Sequence, residues 1–192
     1  MTLRVETERL LLRRFVAEDF DAVFDMQSRP AVARYLYWEA RTEAEVRAAM
    51  EKKIASSAIH AEGDPLFLAV ELKATNQLVA DVVLQWVSEE HRLGEIGFIV
   101  HPDHQGQGYA TESSQVLLGH AFEDLALHRV VGRVEPRNVA SARVLEKLGM
   151  RREAHLVENE FVKGEWQSEL IYAILDREWR EGDGNRVRGA ST

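Results

Sequence analysis

Two glycines, Gly106 and Gly108 in Gln105-Gly106-Gln107-Gly108-Tyr109-Ala110, stand between a strand-like run, Glu95-Ile96-Gly97-Phe98-Ile99-Val100, and a helix-like run over residues 109–122. This order predicts a strand, a tight turn and a helix in the middle of the chain. Without a Cβ at either glycine the backbone can turn sharply and come close to a ligand. Its N–H groups then converge where the helix dipole already favours an anion. The expected ligand carries a pyrophosphate. No Gly-Lys-Ser/Thr follows, so the phosphate lysine and magnesium hydroxyl of a nucleotide triphosphatase loop are missing. A dinucleotide fingerprint counted from Gly106 requires a small residue where Thr111 stands, and it normally follows a chain's first strand.

Around this unit the chain alternates in a way that argues for a mixed sheet. Residues 10–12 read as a first strand, and Asp19 as the cap of a helix reaching Met26, which Arg29-Pro30 interrupts. Residues 31–36 read as a short second helix, and Thr42-Glu43-Ala44-Glu45 as a capping box opening a helix that fades near His60. Strand-like runs at 66–71 and 78–85 flank the turn residues Ala74-Thr75-Asn76-Gln77, and a third at 94–100 completes a meander. Residues 129–134 predict another strand, and Asn138 caps a helix that ends at Leu148 with Gly149 just past it. A last hairpin, 152–160 with 166–175, turns at Lys163-Gly164.

The pattern Gln105-x-x-Gly108-x-Ala110 resembles the acetyl-CoA pyrophosphate loop of the GNAT superfamily of N-acetyltransferases. Further pieces follow in order: His101-Pro102-Asp103-His104 before the loop, Ala110-Thr111-Glu112 after it, then Pro136-Arg137-Asn138-Val139-Ala140-Ser141 and Val144-Leu145-Glu146-Lys147-Leu148-Gly149-Met150. Together they are similar to the RimJ/RimL-like branch, the ribosomal-protein alanine N-acetyltransferases. The resemblance runs from Thr7-Glu8-Arg9-Leu10-Leu11-Leu12-Arg13 to Tyr172-Ala173-Ile174-Leu175. It implies an α+β (mixed α/β) GNAT fold, with a twisted, mostly antiparallel mixed sheet of about six to seven strands flanked by about four helices. It also implies acetyl-CoA as cosubstrate and no metal.

Composition bounds the rest. At 192 residues, 45% of them hydrophobic, the chain suits a single domain over 1–181, followed by a polar, glycine-containing and flexible tail over 182–192. No apolar run nears the roughly 20 residues that span a bilayer, and the N-terminal residues lack a signal-peptide core, so a cytoplasmic location is expected. The absence of cysteine excludes disulfides, thiolate zinc sites and an acyl-cysteine intermediate, leaving direct transfer. A net charge of −8 disfavours nonspecific nucleic-acid binding and attracts protonated amines and basic peptides. Neither a nucleic-acid nor a membrane partner is expected. The C-terminal hairpin offers an edge for pairing two copies, so a homodimer is an open expectation.

Acetyl transfer from a thioester needs a neutral amine, a polarised carbonyl and a proton for the departing thiolate. The resemblance implies that the pantetheine arm pairs like an added strand along Phe98, Ile99 and Val100, while Gln105, Gly106, Gln107, Gly108, Tyr109 and Ala110 hold the pyrophosphate. Asn138 and Ser141, one helical turn apart, read most simply as capping. The family pattern implies that Asn138 and Ser141 contact the pantetheine, with the Ser141 hydroxyl near the thiol sulfur, which makes Ser141 also the candidate general acid. Glu160 and Glu95 are alternative bases, each of which also reads as an ordinary solvated strand residue. Glu160 also doubles as a substrate contact.

Tyr35, Tyr37 and Trp38 form an aromatic cluster that reads either as core packing or as a lid over the acceptor; Trp38 and Tyr35 are the candidate substrate contacts. His101 and His104 lack the partners of a metal site. Arg151 and Arg152 are candidates for the adenosine 3′-phosphate. One departure is Ser168, where many members of the branch carry an aspartate that follows the hairpin aromatic, here Trp166. By strand alternation Glu165 and Glu169 face away from it. The acceptor is accordingly read as a primary amine, first a protein N-terminal α-amine, with a polyamine or aminoglycoside as the alternative. A noncatalytic acyl-CoA sensor is the reading from another class.

Overall fold

The computed structural model describes residues 4–56 and 58–188. Among these, eight strands form one sheet: β1 Val5–Glu6, β2 Leu10–Arg13, β3 Pro65–Leu72, β4 Gln77–Ser88, β5 Leu93–Val100, β6 Arg129–Val134, β7 Arg151–Val162 and β8 Glu165–Leu175. Six helices accompany them: α1 Phe20–Gln27, α2 Pro30–Ala33, α3 Glu43–Ala55, α4 Tyr109–Gly119, α5 Val139–Lys147 and α6 Asp176–Arg188. The strand order is β1-β2-β3-β4-β5-β6-β8-β7, and every neighbouring pair is antiparallel except β5 with β6. This is the mixed α/β GNAT fold.

The parallel pair positions the site. Leu93, Gly94 and Glu95 register with Arg129, Val130 and Val131, and there the pairing stops. Beyond it, β5 runs on to Val100 paired only with β4, while β6 runs on to Val134 paired only with β8. The two strands splay and open a notch in the sheet. Small residues let helices crowd the mouth of this notch. A Cβ at Gly132 would stand 2.7 Å from Leu145 Cδ2, so α5 sits directly on β6. Leu145 is 2% exposed, burial that stabilises the contact by about 1.5–3 kcal/mol.

Local signals explain most of the helix ends. The capping box is present, with Glu45 N–H donating to Thr42 Oγ1 at 3.4 Å and Thr42 N–H to Glu45 Oε2 at 2.8 Å. At the end of α5, Gly149 is left-handed, and the N–H groups of Gly149 and Met150 reach the carbonyls of Glu146 and Leu145, a Schellman closure. Other expectations need correction. Asp19 precedes α1 but its carboxylate makes no cap; it takes a two-pronged contact from Arg13, 2.8 Å at each prong, and the Val16 N–H. Pro30 opens α2, which is four residues long and ends at Ala33 instead of Leu36, and α3 stops at Ala55. The two-residue β1 and helix α6 were not read from the sequence. Helix α6 continues to Arg188 through a segment expected to be irregular, and residues 189–192 lie outside the described residues.

Candidate active site

Two cavities meet in the notch. One, of about 420 Å³, is lined by Phe98, Ile99 and Val100, by Gly106 and Gly108, and by α5. The other, of about 320 Å³, lies toward β8 and is lined by Glu95, Glu160 and Glu169 among others. Tyr35, Leu36, Phe98, Ile99, Asn138 and Ser141 line both. The junction is therefore bounded by the β5 edge on one side and the first turn of α5 on the other.

The larger cavity is built to receive an anion. Gly106 and Gly108 have φ of +77° and +86°, a region that costs other residues roughly 1–2 kcal/mol. Gly108 is the N-cap of α4, and no side chain caps it. The loop is held from outside by Arg9, whose Nη1 donates to the Gln107 carbonyl at 3.0 Å and whose Nε and Nη2 reach Glu112 at 2.8 and 2.6 Å. Its guanidinium also lies 4.8 Å from the Tyr109 ring centre. Thr7 Oγ1 donates to the other oxygen of Glu112 at 2.5 Å. Gln105 Nε2 donates to the Val100 carbonyl at 3.2 Å, and the Tyr109 hydroxyl to Gln107 Oε1 at 3.0 Å, so these side chains shape the loop. Ala110 follows on the first turn of α4. Arg143 and Lys147, one turn apart on α5, line this cavity, and Arg151 and Arg152 do not. Arg151 is instead engaged by Glu153 and Glu178.

At the junction, Asn138 Oδ1 accepts the Ser141 N–H at 3.2 Å, so the capping reading holds. That bond uses the oxygen only, and both residues still line the two cavities.

The smaller cavity is acidic. Arg133 bridges two carboxylates, Nε to Glu95 at 3.2 Å and Nη1 to Glu169 at 2.9 Å. The Tyr37 hydroxyl donates to Glu169 at 3.2 Å. Burial, with the charges of Glu169 and Glu160 beside it, pushes the Tyr37 phenol well above its ordinary range. Burial also raises the Glu95 carboxyl, with Arg133 opposing the shift. On the floor, Lys53 pairs with Asp81 at 2.5 Å. Five lining carboxylates, Asp81, Glu95, Glu135, Glu160 and Glu169, face Lys53 and Arg133, and Arg137 reaches Glu135 from outside. The lining carboxylates outnumber the lining cations, and Arg137 is shared with Glu165, so net negative charge remains. This surplus of carboxylates favours a cation in the cavity.

The structure brings Glu95, Glu160, Ser141, Asn138 and Tyr35 to these cavities. Trp38 is absent from both linings, with its ring 4.2 Å beneath the Arg41 guanidinium. Ser168 Oγ accepts the Glu158 N–H at 3.0 Å, and the acid lost at that position has a neighbour in Glu169, 3% exposed. Alternation had placed Glu169 opposite Ser168, but nothing local marked that face as the cavity. Arg133 was likewise missed, since a lone strand arginine carries no signal. His101 packs against Asp25 at 2.7 Å, and no group of three or more His, Asp and Glu side chains among the described residues is placed to hold a metal.

Comparison with known proteins bears on the family and the fold. The model of the Acetyltransferase (GNAT) domain matches residues 9–151. The uncharacterized N-acetyltransferase YnaD of Bacillus subtilis is 34% identical over 177 residues, 92% of this chain and 99% of its own. The crystal structure of a GNAT-family acetyltransferase from Bacillus anthracis aligns with a TM-score of 0.82 at 33% identity, over 91% of this chain and 99% of that one. Spermidine N-acetyltransferase from Vibrio cholerae, solved in complex with CoA and spermine, aligns with a TM-score of 0.76 at 25% identity, again over 91% and 99%.

Proposed function

Because this chain belongs to the GNAT family and is an N-acetyltransferase, we propose that it moves acetyl directly from acetyl-CoA to the primary amine of a compact cationic acceptor. One observation carries the reading: a glycine-looped cavity and an acidic cavity meet at Asn138 and Ser141. When bound, acetyl-CoA supplies the activated acetyl thioester. The residues present fit it, since the uncapped α4 N-terminus, the two left-handed glycines and the Arg143 and Lys147 pair suit a pyrophosphate and its neighbouring phosphate. The exposed edge of β5 at Phe98, Ile99 and Val100 suits an amide-bearing arm.

The chain's own residues then divide the work. Glu160, with Glu95 beside Arg133, receives the proton of the incoming ammonium. Asn138 orients the arm, and the Ser141 hydroxyl donates a hydrogen bond to the departing thiolate, relaying to it a proton given up by the amine so that the serine ends as it began. A thiolate of pKa about 8.5 needs little help, so Ser141→Ala is expected to lower kcat only about tenfold, with acetyl-CoA affinity unchanged. A stopped-flow titration of CoA release checks this.

The unbalanced negative charge of the smaller cavity favours an acceptor with more than one positive charge, as does the likeness to a protein solved with spermine. A second reading, a protein N-terminal α-amine in the manner of the RimJ/RimL-like branch, is favoured by the ordered motifs from Thr7 to Leu175. Such an amine is roughly a tenth neutral at pH 7, which lightens the demand on the base. Release of CoA across polyamines, aminoglycosides, lysine peptides and N-terminal peptides separates the two. Polyamines are expected to lead. Turnover confined to N-terminal peptides would move the assignment to the branch activity, and CoA binding without any turnover would oppose both.

A further inference from the structure

The turn between β7 and β8 contains two residues, Lys163 and Gly164, with φ of +51° and +85°. A turn with both central residues left-handed favours Asn-Gly or Asp-Gly, because a long side chain at the first position is strained. Here the first position is a lysine, and its side chain is used. Its Nζ donates to the carbonyls of Ala33 at 2.8 Å and Arg34 at 3.2 Å, at the end of α2 and 130 residues away in sequence. Beside the turn Val162 is buried at 8% exposure, while Phe161 and Trp166 rest on each other at 63% and 62% exposure. The ammonium is the hairpin tip's polar bond to α2.

The segment it touches carries Tyr35 and Tyr37, and two further ties fix that segment beyond Lys163. The Tyr37 hydroxyl meets Glu169 at 3.2 Å, and Arg41 meets Gln27 through both its side chain, at 2.7 Å, and its backbone N–H, at 3.0 Å. Tyr35 and Tyr37 line the acidic cavity between these ties. We infer that Lys163 is a positioning residue for the acceptor amine: it straps the segment after α2 to the hairpin, so that the two tyrosines wall the cavity that contains Glu160. The inference rests on the reading of that cavity as the acceptor site.

Lys163→Asn removes the ammonium and installs a residue the turn favours, so the fold is kept and the melting temperature is not expected to fall. Amide hydrogen exchange over residues 31–38 is expected to quicken about tenfold in this variant, and in Lys163→Arg to stay near wild type. With the best amine of the CoA-release panel, Lys163→Asn is expected to raise the acceptor KM about fivefold and change kcat less than about twofold, with acetyl-CoA affinity untouched. Unchanged exchange at 31–38 overturns the strap, whatever the acceptor. Faster exchange with unchanged KM, or with an equal loss of acetyl-CoA affinity, overturns the positioning role. Should no amine turn over, the failure belongs to the acceptor assignment, and acceptor-free hydrolysis of acetyl-CoA takes the place of KM: about threefold faster is expected as water gains access, and no change overturns the inference.

Discussion

Replacing Glu160 with Gln is expected to slow acetyl transfer about 100-fold at neutral pH while leaving acetyl-CoA affinity unchanged. An amine that arrives protonated must lose a proton before it can attack, and Glu160 lines the acidic cavity with no cation paired to it among the described residues. Glu95 is differently placed. Its Oε2 accepts from Arg133, so Glu95→Gln is expected to cost only about tenfold. Burial nevertheless raises its carboxyl, which gives a pH signature. A group whose folded pKa lies above its unfolded value contributes stability that is present at low pH and lost as pH rises through the folded pKa. In the rate, the same shift moves the acid limb of kcat/KM upward from the ordinary carboxylate range. If Glu95 shares the proton, Glu95→Gln moves that limb back down. Full pH profiles of both variants test the assignment, and wild-type rates in both at neutral pH would remove the carboxylates from the chemistry.

Truncating Lys53 to Ala is expected to cost about 3–5 kcal/mol of stability, well beyond an ordinary point mutation. The pair it forms with Asp81 is enclosed, with side chains 8% and 4% exposed. The ammonium lies 4.1 Å from the Phe67 ring centre and 5.1 Å from that of Phe15, and Asp81 also accepts from Gln27 Nε2 at 3.2 Å. Removing the cation leaves a buried carboxylate with one neutral donor, Gln27, on the floor of an already acidic cavity. Removing both charges as Lys53→Met with Asp81→Leu is expected to restore most of the loss, since packing then replaces the pair. Urea denaturation of the two single variants and the double variant gives the coupling directly. A loss below about 1 kcal/mol for Lys53→Ala would mean that water reaches Asp81.

Elements whose ends are written in adjacent residues were legible in the sequence. Thr42 with Glu45, Asn138 with Ser141, and Gly149 after Leu148 each specify a helix end through bonds within a few residues. So were the glycine loop and the residues on either side of it. What escaped depends on pairing across long stretches of chain. Asp19 looked like a cap because its partner Arg13 lies on another element. Glu169 and Arg133 come to line one cavity only because β6 and β8 are in register beside the notch. The two residues of β1 are too few to show a period, and α6 runs through Gly182 and Gly184, against local propensity. Trp38, the aromatic that reads from the sequence as a substrate contact, lies outside both cavity linings against Arg41, whereas Tyr35 and Tyr37 line the smaller cavity.

The sheet pairs β5 with β6 over three residues and then lets them part. A ligand whose amides fill that gap becomes, for as long as it stays, a strand the gene does not encode. Its binding then adds RT ln(1 + [L]/Kd) to the folding free energy, about 2.7 kcal/mol at a hundred times Kd. The melting temperature is then expected to rise with the concentration of acetyl-CoA or of CoA, since both carry the same amide-bearing arm.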